Sequence, residues 1–167
     1  MGGNNPIKRP PLNRPKFSLI SPDEGLRNLV EQSDHRTLGV WARDCALRVL
    51  PFFKNAYPED PRPQQALDAL QGWINTGQFS MAAIRSASLA AHAAARQADE
   101  ASPARSAARA AGQALATAHV PAHAYSAAKY AQQATFRASP EQALHEVEQE
   151  RDWQFQHLVV LNQKRQP

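Results

Sequence analysis

Apolar positions recur along most of this chain at three- and four-residue intervals, the spacing that places side chains on one face of a helix. In "HRTLGVWARDCALRVLPFF", Leu38, Trp41, Cys45 and Val49 mark such a face. The start signals agree with this period. Ser21, with Pro22 next and Glu24 three residues on, reads as a capping box opening a first helix. A second helix is expected from Ser33 or Asp34, with Pro51 bending or ending it. Asp60 and Pro61 open a third, which runs to Thr76 before a stop at Gly77. Ser80 opens a fourth, Ser102–Pro103 a fifth, and "AHAYSAAKYAQQATF" forms a sixth. Ser139–Pro140, with Gln142 completing a second capping box, opens a seventh. No stretch shows the β-branched alternation of a strand. The pattern predicts an all-α, single-domain helical bundle of about six or seven helices over residues 18–163.

Three of these helices are dominated by alanine, which lets backbones approach closely and leaves little bulk to fill a core. Larger groups on them stand out: Arg85, His92, Arg96, Arg105, Arg109, His119, His123 and Tyr130. Some must face water, and those that converge inward are the interesting ones.

Composition narrows the possible roles. The 167 residues suffice for one domain with its own core. One cysteine, Cys45, cannot form an internal disulfide and suits a reducing, cytoplasmic setting. There is neither an apolar run of membrane-spanning length nor a signal-peptide core, so no membrane role is expected. The net charge of +4 sits at the ends. Lys8, Arg9, Arg14 and Lys16 lie in residues 1–17, read as a flexible, disordered, proline-rich arm, and Lys164 and Arg165 lie in the tail 164–167. Between Phe17 and Gln163 acids slightly outnumber bases, which argues against nucleic-acid binding.

Candidate chemistry is sparse. In "ATAHVPAHAYSAAKYA", His119 and His123 are four residues apart with Pro121 between them. That spacing fits a metal clip, with His92 as third ligand, or part of an acid–base site, or a packed helix corner. Pro121 disfavours a continuous helix, so the corner is the favoured reading, the histidines bonding to Asp44 or to carbonyls freed by Pro121. Asp44 and Arg48 share a helical stripe, and a polar cluster of Asp44, Arg48, Arg85, His119 and His123 is expected. Phosphate-binding and nucleophile-elbow motifs are missing, so no catalytic residue and no cofactor is assigned. The last helix crowds Trp153, Phe155, His157 and four aliphatic residues into one segment, suited to core packing, to a partner, or to a second copy in a homodimer.

Three pieces in order resemble one bacterial family: Trp41, Asp44 and Cys45 in "VWARDCALR"; Arg62, Pro63 and the downstream Trp73; and "ATAHV", holding His119, followed by His123. Together they are similar to the immunity-protein-five-like immunity proteins of bacterial toxin–immunity systems. The resemblance runs roughly from Asp34 to Gln156. It implies a cytoplasmic helical protein, encoded beside a toxin, that neutralises the toxin by binding rather than by catalysis. It carries no catalytic residues. On this reading Trp41, Arg43, Trp153 and Phe155 are candidate partner contacts, with Arg48 a further anchor. The rival reading is a small metal- or ligand-binding enzyme or sensor built on Asp44, His119 and His123.

Overall fold

A computed structural model describes residues 16–164 apart from Phe79. Among these residues there are seven α-helices, a short 3-10 turn at Phe17–Leu19, and no strand. The helices are α1 Glu24–Glu31, α2 His35–Ala56, α3 Arg62–Thr76, α4 Met81–Gln97, α5 Pro103–Ala116, α6 His123–Ala138 and α7 Ala143–Gln163. The expected all-α bundle is what the chain forms. Most of the expected arm (1–15) and of the tail (165–167) lies outside the described residues. Phe17, the last residue of that arm, stacks edge-on against Phe136 of α6 at 5.6 Å.

Local chemistry explains most helix starts. Asp34 accepts from the amides of Arg36 and Thr37, Ser80 from Ala83, and Ser102 from Arg105, with Pro103 in the first turn. Gly77 ends α3 with φ of 70°, a left-handed conformation that glycine adopts without a Cβ clash.

Four boundaries differ from expectation. Pro61, not Asp60, stands at the cap of α3, which begins at Arg62 without a side-chain cap, and Asp60 Oδ1 accepts from Arg62 N at 3.1 Å. Asp23, not Ser21, caps α1, its Oδ1 accepting from Leu26 N at 2.9 Å. Ser139 and Gln142 make no capping box, because residues 140–142 form a turn and α7 begins at Ala143 without a side-chain cap. Pro51 neither ends nor interrupts α2, which continues five residues past it. Leu50 and Phe53 on either side are buried while Leu47 and Pro51 are exposed, so burial holds the helix together and water can serve the carbonyl that loses its N–H partner.

Helix α5 is the axis of the bundle, packed on α2, α3, α4 and α6. Ala107, Ala108, Ala110, Ala111 and Ala114 on it are completely enclosed. Side chains this small let four neighbours approach, so close spacing of backbones replaces interdigitation of large residues. Bulk is concentrated on α2 and α3, where Trp41, Phe53, Leu67 and Leu70 are buried and Trp73 packs at a tilt of 45° on His35 with ring centres 4.8 Å apart. His35 Nε2 in turn donates to the Thr117 carbonyl at 2.6 Å, tying the start of α2 to the end of α5. Among the described residues no helix is long and apolar enough to cross a membrane.

Candidate functional site

The inward stripe of α7 consists of Ala143, Val147, Glu150, Gln154 and Leu158. The spacing is that of a packed helix, yet its centre is polar. Gln154 lies at the junction of α2, α6 and α7. Its Nε2 donates to the Ala128 carbonyl at 3.1 Å and to Glu150 Oε1 at 3.0 Å, and its Oε1 accepts from Gln132 Nε2 at 2.8 Å. Its backbone carbonyl accepts from the indole N–H of Trp41 at 2.8 Å. A buried amide satisfied on every side fixes the height and rotation of α7 against its neighbours.

Glu150 carries that network outward. Its side chain is only 3% exposed, and Oε2 accepts from Arg48 Nε at 3.0 Å. Burial pushes its carboxyl above the usual 4.5, against the opposing pull of Arg48 and of the hydrogen bonds from Arg48 and Gln154. Arg48, anchored at this end, lays its guanidinium over the half-buried ring of Trp153 at 4.0 Å. Trp153 stacks on His157 with centres 4.7 Å apart and planes 20° from parallel. His157 Nε2 donates to Asp44 Oδ2 at 2.7 Å, and Asp44 Oδ1 accepts from Arg43 Nε at 2.9 Å and Nη2 at 2.6 Å. Arg43 also reaches Gln71 on α3. The result is a continuous strip on the α2–α7 face: Arg43, Asp44, His157, Trp153, Arg48, with Glu150 and Gln154 beneath.

Beneath the strip Cys45 is fully enclosed. Burial, then the charges of Glu150 and Asp44, raise its thiol well above 9.0, so it is held neutral and packed rather than prepared as a nucleophile.

The predicted site residues divide among separate places. Asp44 and Arg48 belong to the strip. Arg85 is exposed on α4. His119 and His123 stand at the corner between α5 and α6, with ring centres 5.6 Å apart. The expected bonds from these histidines to Asp44 are not what the geometry gives: Asp44 is taken up by Arg43 and His157, and His123 Nδ1 donates to Gln113 Oε1 at 2.7 Å. His119 is exposed. Burial and the neighbouring His119 lower the basicity of His123. His92, facing Gly112, is lowered by burial and by the charges of Arg109, Arg96 and His123. Among the described residues no group of three or more His, Cys, Asp or Glu side chains could hold a metal ion.

Of the four expected partner contacts, Trp41 is completely buried and serves the core, so that expectation is corrected. Arg43, Trp153 and Phe155 are half-buried. Phe155 is turned toward α1, where it approaches Gly25. The residues that sequence reasoning missed are His157, Glu150, Gln154 and Gln132. Their signal was Glu150 and Gln154 at inward positions of α7, where an apolar residue is the ordinary choice.

An all-α body carries the arginine–tryptophan strip on its α2–α7 face, with the cysteine sealed beneath it. The family is now definite: residues 28–160 match the model of the Imm-5 like putative immunity protein family, and the chain belongs to that family. No curated protein and no solved structure matches it. The motif pieces that carried the resemblance lie mostly in the scaffold. Trp41, Cys45, Pro63 and Trp73 are buried, and Arg62 pairs with Asp60 at 2.6 Å beside the start of α3.

Proposed function

We propose that this protein is a non-catalytic inhibitor that acts in the cytoplasm, binding a bacterial toxin domain and covering the surface that the toxin needs for its activity. Family membership supports the role, and one observation supports the place. Arg48, pinned by buried Glu150, lies at 4.0 Å over the ring of Trp153. Arginine and tryptophan dominate the energetics of protein interfaces, and they contribute most where their conformation is set before binding. Here the guanidinium loses little freedom on association because Glu150 and the indole already hold it. His157 and Asp44 extend the surface with an imidazole and an accepting carboxylate.

The experiment is a calorimetric titration with the product of the adjacent gene, alongside that product's toxic activity. A one-to-one complex that abolishes the activity is expected, and Trp153→Ala should weaken it at least about tenfold while circular dichroism still shows a folded helical protein at the assay temperature. Absence of a complex would overturn the role. A complex unaffected by Trp153→Ala would overturn the assigned face.

A further inference from the structure

A second surface lies on the side of the bundle where the described chain enters. The segment around Phe17 crosses α6, and a cavity opens on each side of it, one of about 380 Å³ and one of about 400 Å³. The two share Phe17, Ser18 and Gln133 as common walls. Lys129 and Arg151 line the first, Lys16 and Arg137 the second, and among the described residues no acidic side chain lines either. Aromatic rings complete the walls: Tyr125 and Tyr130 in the first cavity, Phe136 in the second.

The two arginines have neutral hydrogen-bond partners. Arg151 donates to Gln132 Oε1 at 3.1 Å and to the Ser21 carbonyl at 2.8 Å. Arg137 donates to Ser106 Oγ at 2.8 Å. Two more arginines stand behind it, Arg105 and Arg109, the latter with its guanidinium 5.8 Å from the centre of the Tyr130 ring. Their positive charge and burial both make the Arg137 cation harder to hold, while Glu100 acts in the opposite sense from beyond ion-pair distance. Positive charges gathered on one face beside aromatic walls, Arg137 and Arg151 half-buried and Lys16 and Lys129 exposed, attract a carboxylate arriving from outside.

We infer that this groove along α6 receives an acidic segment of the partner protein, its carboxylates meeting Lys129 and Arg151 on one side of Phe17 and Lys16 and Arg137 on the other, with an apolar side chain in each cavity. The inference rests on the reading of the chain as a protein binder. The chain's own first fifteen residues are a poor occupant, because they carry Lys8, Arg9 and Arg14 and no acid. They add instead to the positive field that steers an acidic partner toward this end. A nucleic-acid strand fits less well. The Phe17 crossing divides the groove into two separate cavities, whereas a strand needs an unbroken basic track for successive phosphates.

The test needs no toxin, so its failure is separate from failure of the inhibitor reading. Isotope-labelled full-length protein is titrated with the capped peptide Glu-Glu-Phe-Glu-Glu-Leu, with its all-glutamine counterpart, and with a short oligothymidylate, and amide shifts are followed. Saturable shifts confined to residues around Phe17, α6 and Arg151 are expected with the acidic peptide. They should weaken at least about tenfold with the glutamine peptide and in the double variant Lys16→Glu, Lys129→Glu, both exposed positions. Arg85→Glu, on exposed α4, should leave them unchanged. The amide spectrum itself reports whether each variant is folded. No shifts at millimolar peptide, equal shifts from the glutamine peptide, shifts located elsewhere, or tighter binding of the oligothymidylate would each overturn the inference.

Discussion

Arg48 and Glu150, 102 residues apart in the chain, meet at 3.0 Å with the carboxylate enclosed and the guanidinium 41% exposed. The partnership is unequal: the cation keeps part of its water, and the anion gives up nearly all of its own.

This asymmetry has a sign. The carboxyl of Glu150 sits above its ordinary 4.5 in the folded protein because burial outweighs Arg48. Protonation therefore favours folding: the contribution is complete below 4.5 and is lost as pH rises through the raised value. Urea unfolding of the parent and of Glu150→Gln, compared at about pH 4.5 and about pH 7, should show the parent losing ground to the variant at the higher pH. A constant difference would contradict this account of Glu150.

The histidine corner has the opposite sign. His92 and His123 are held below the ordinary 6.5, chiefly by burial. Their contribution is present in full above 6.5 and is lost as pH falls through the depressed values, because the unfolded chain takes up protons first. The stability of the parent should begin to decline just below 6.5, and His123→Gln should reduce that decline. His123→Ala should cost about 1 kcal/mol through loss of the bond to Gln113. The exposed His119→Ala should be close to neutral, and a larger loss at His119 than at His123 would contradict the geometry.

Cys45 should resist thiol reagents. It is fully enclosed and its thiol is raised well above 9.0, so a disulfide reagent at about pH 8 should label it at least about a hundredfold more slowly in the native protein than in urea. Rapid labelling under native conditions would mean that α2 and α7 separate readily.

Among the described glycines, Gly39 has the least room for a side chain. A Cβ there would meet Cζ3 of the buried Trp73 at 2.5 Å, and Trp73 is wedged against His35. Gly39→Ala should destabilise by about 1–3 kcal/mol in chemical denaturation. Gly72→Ala, whose Cβ would meet nothing within 4 Å, provides the control and should be neutral or slightly stabilising.

What could be read along the chain was local. The caps at Asp34, Ser80 and Ser102 and the stop at Gly77 depend on neighbours a few residues away, and they lie where the residue types require. At the start of α1, two candidate caps stand two residues apart and differ little in intrinsic preference. The choice falls to Asp23, and the carbonyl of Ser21 instead accepts a bond from Arg151, 130 residues away. The strip and the groove were hidden for the same reason. Asp44 offered its own neighbours Arg43 and Arg48 as partners, and nothing nearby announced His157. Lys16, Lys129, Arg137 and Arg151 are far apart along the chain, and only the path of the backbone gathers them on one side.

The inward stripe of α7 has a counterpart on its other side: Glu148, Asp152, Gln156 and Val160, four residues apart and all exposed. None of these four takes part in the junction that sets the helix in place. Substitution there changes what the molecule presents to its surroundings while leaving the alanine-lined interior at its spacing. A library restricted to these positions would therefore vary charge and shape on the outer face of α7 at nearly constant melting temperature, an exchangeable surface on a fixed frame.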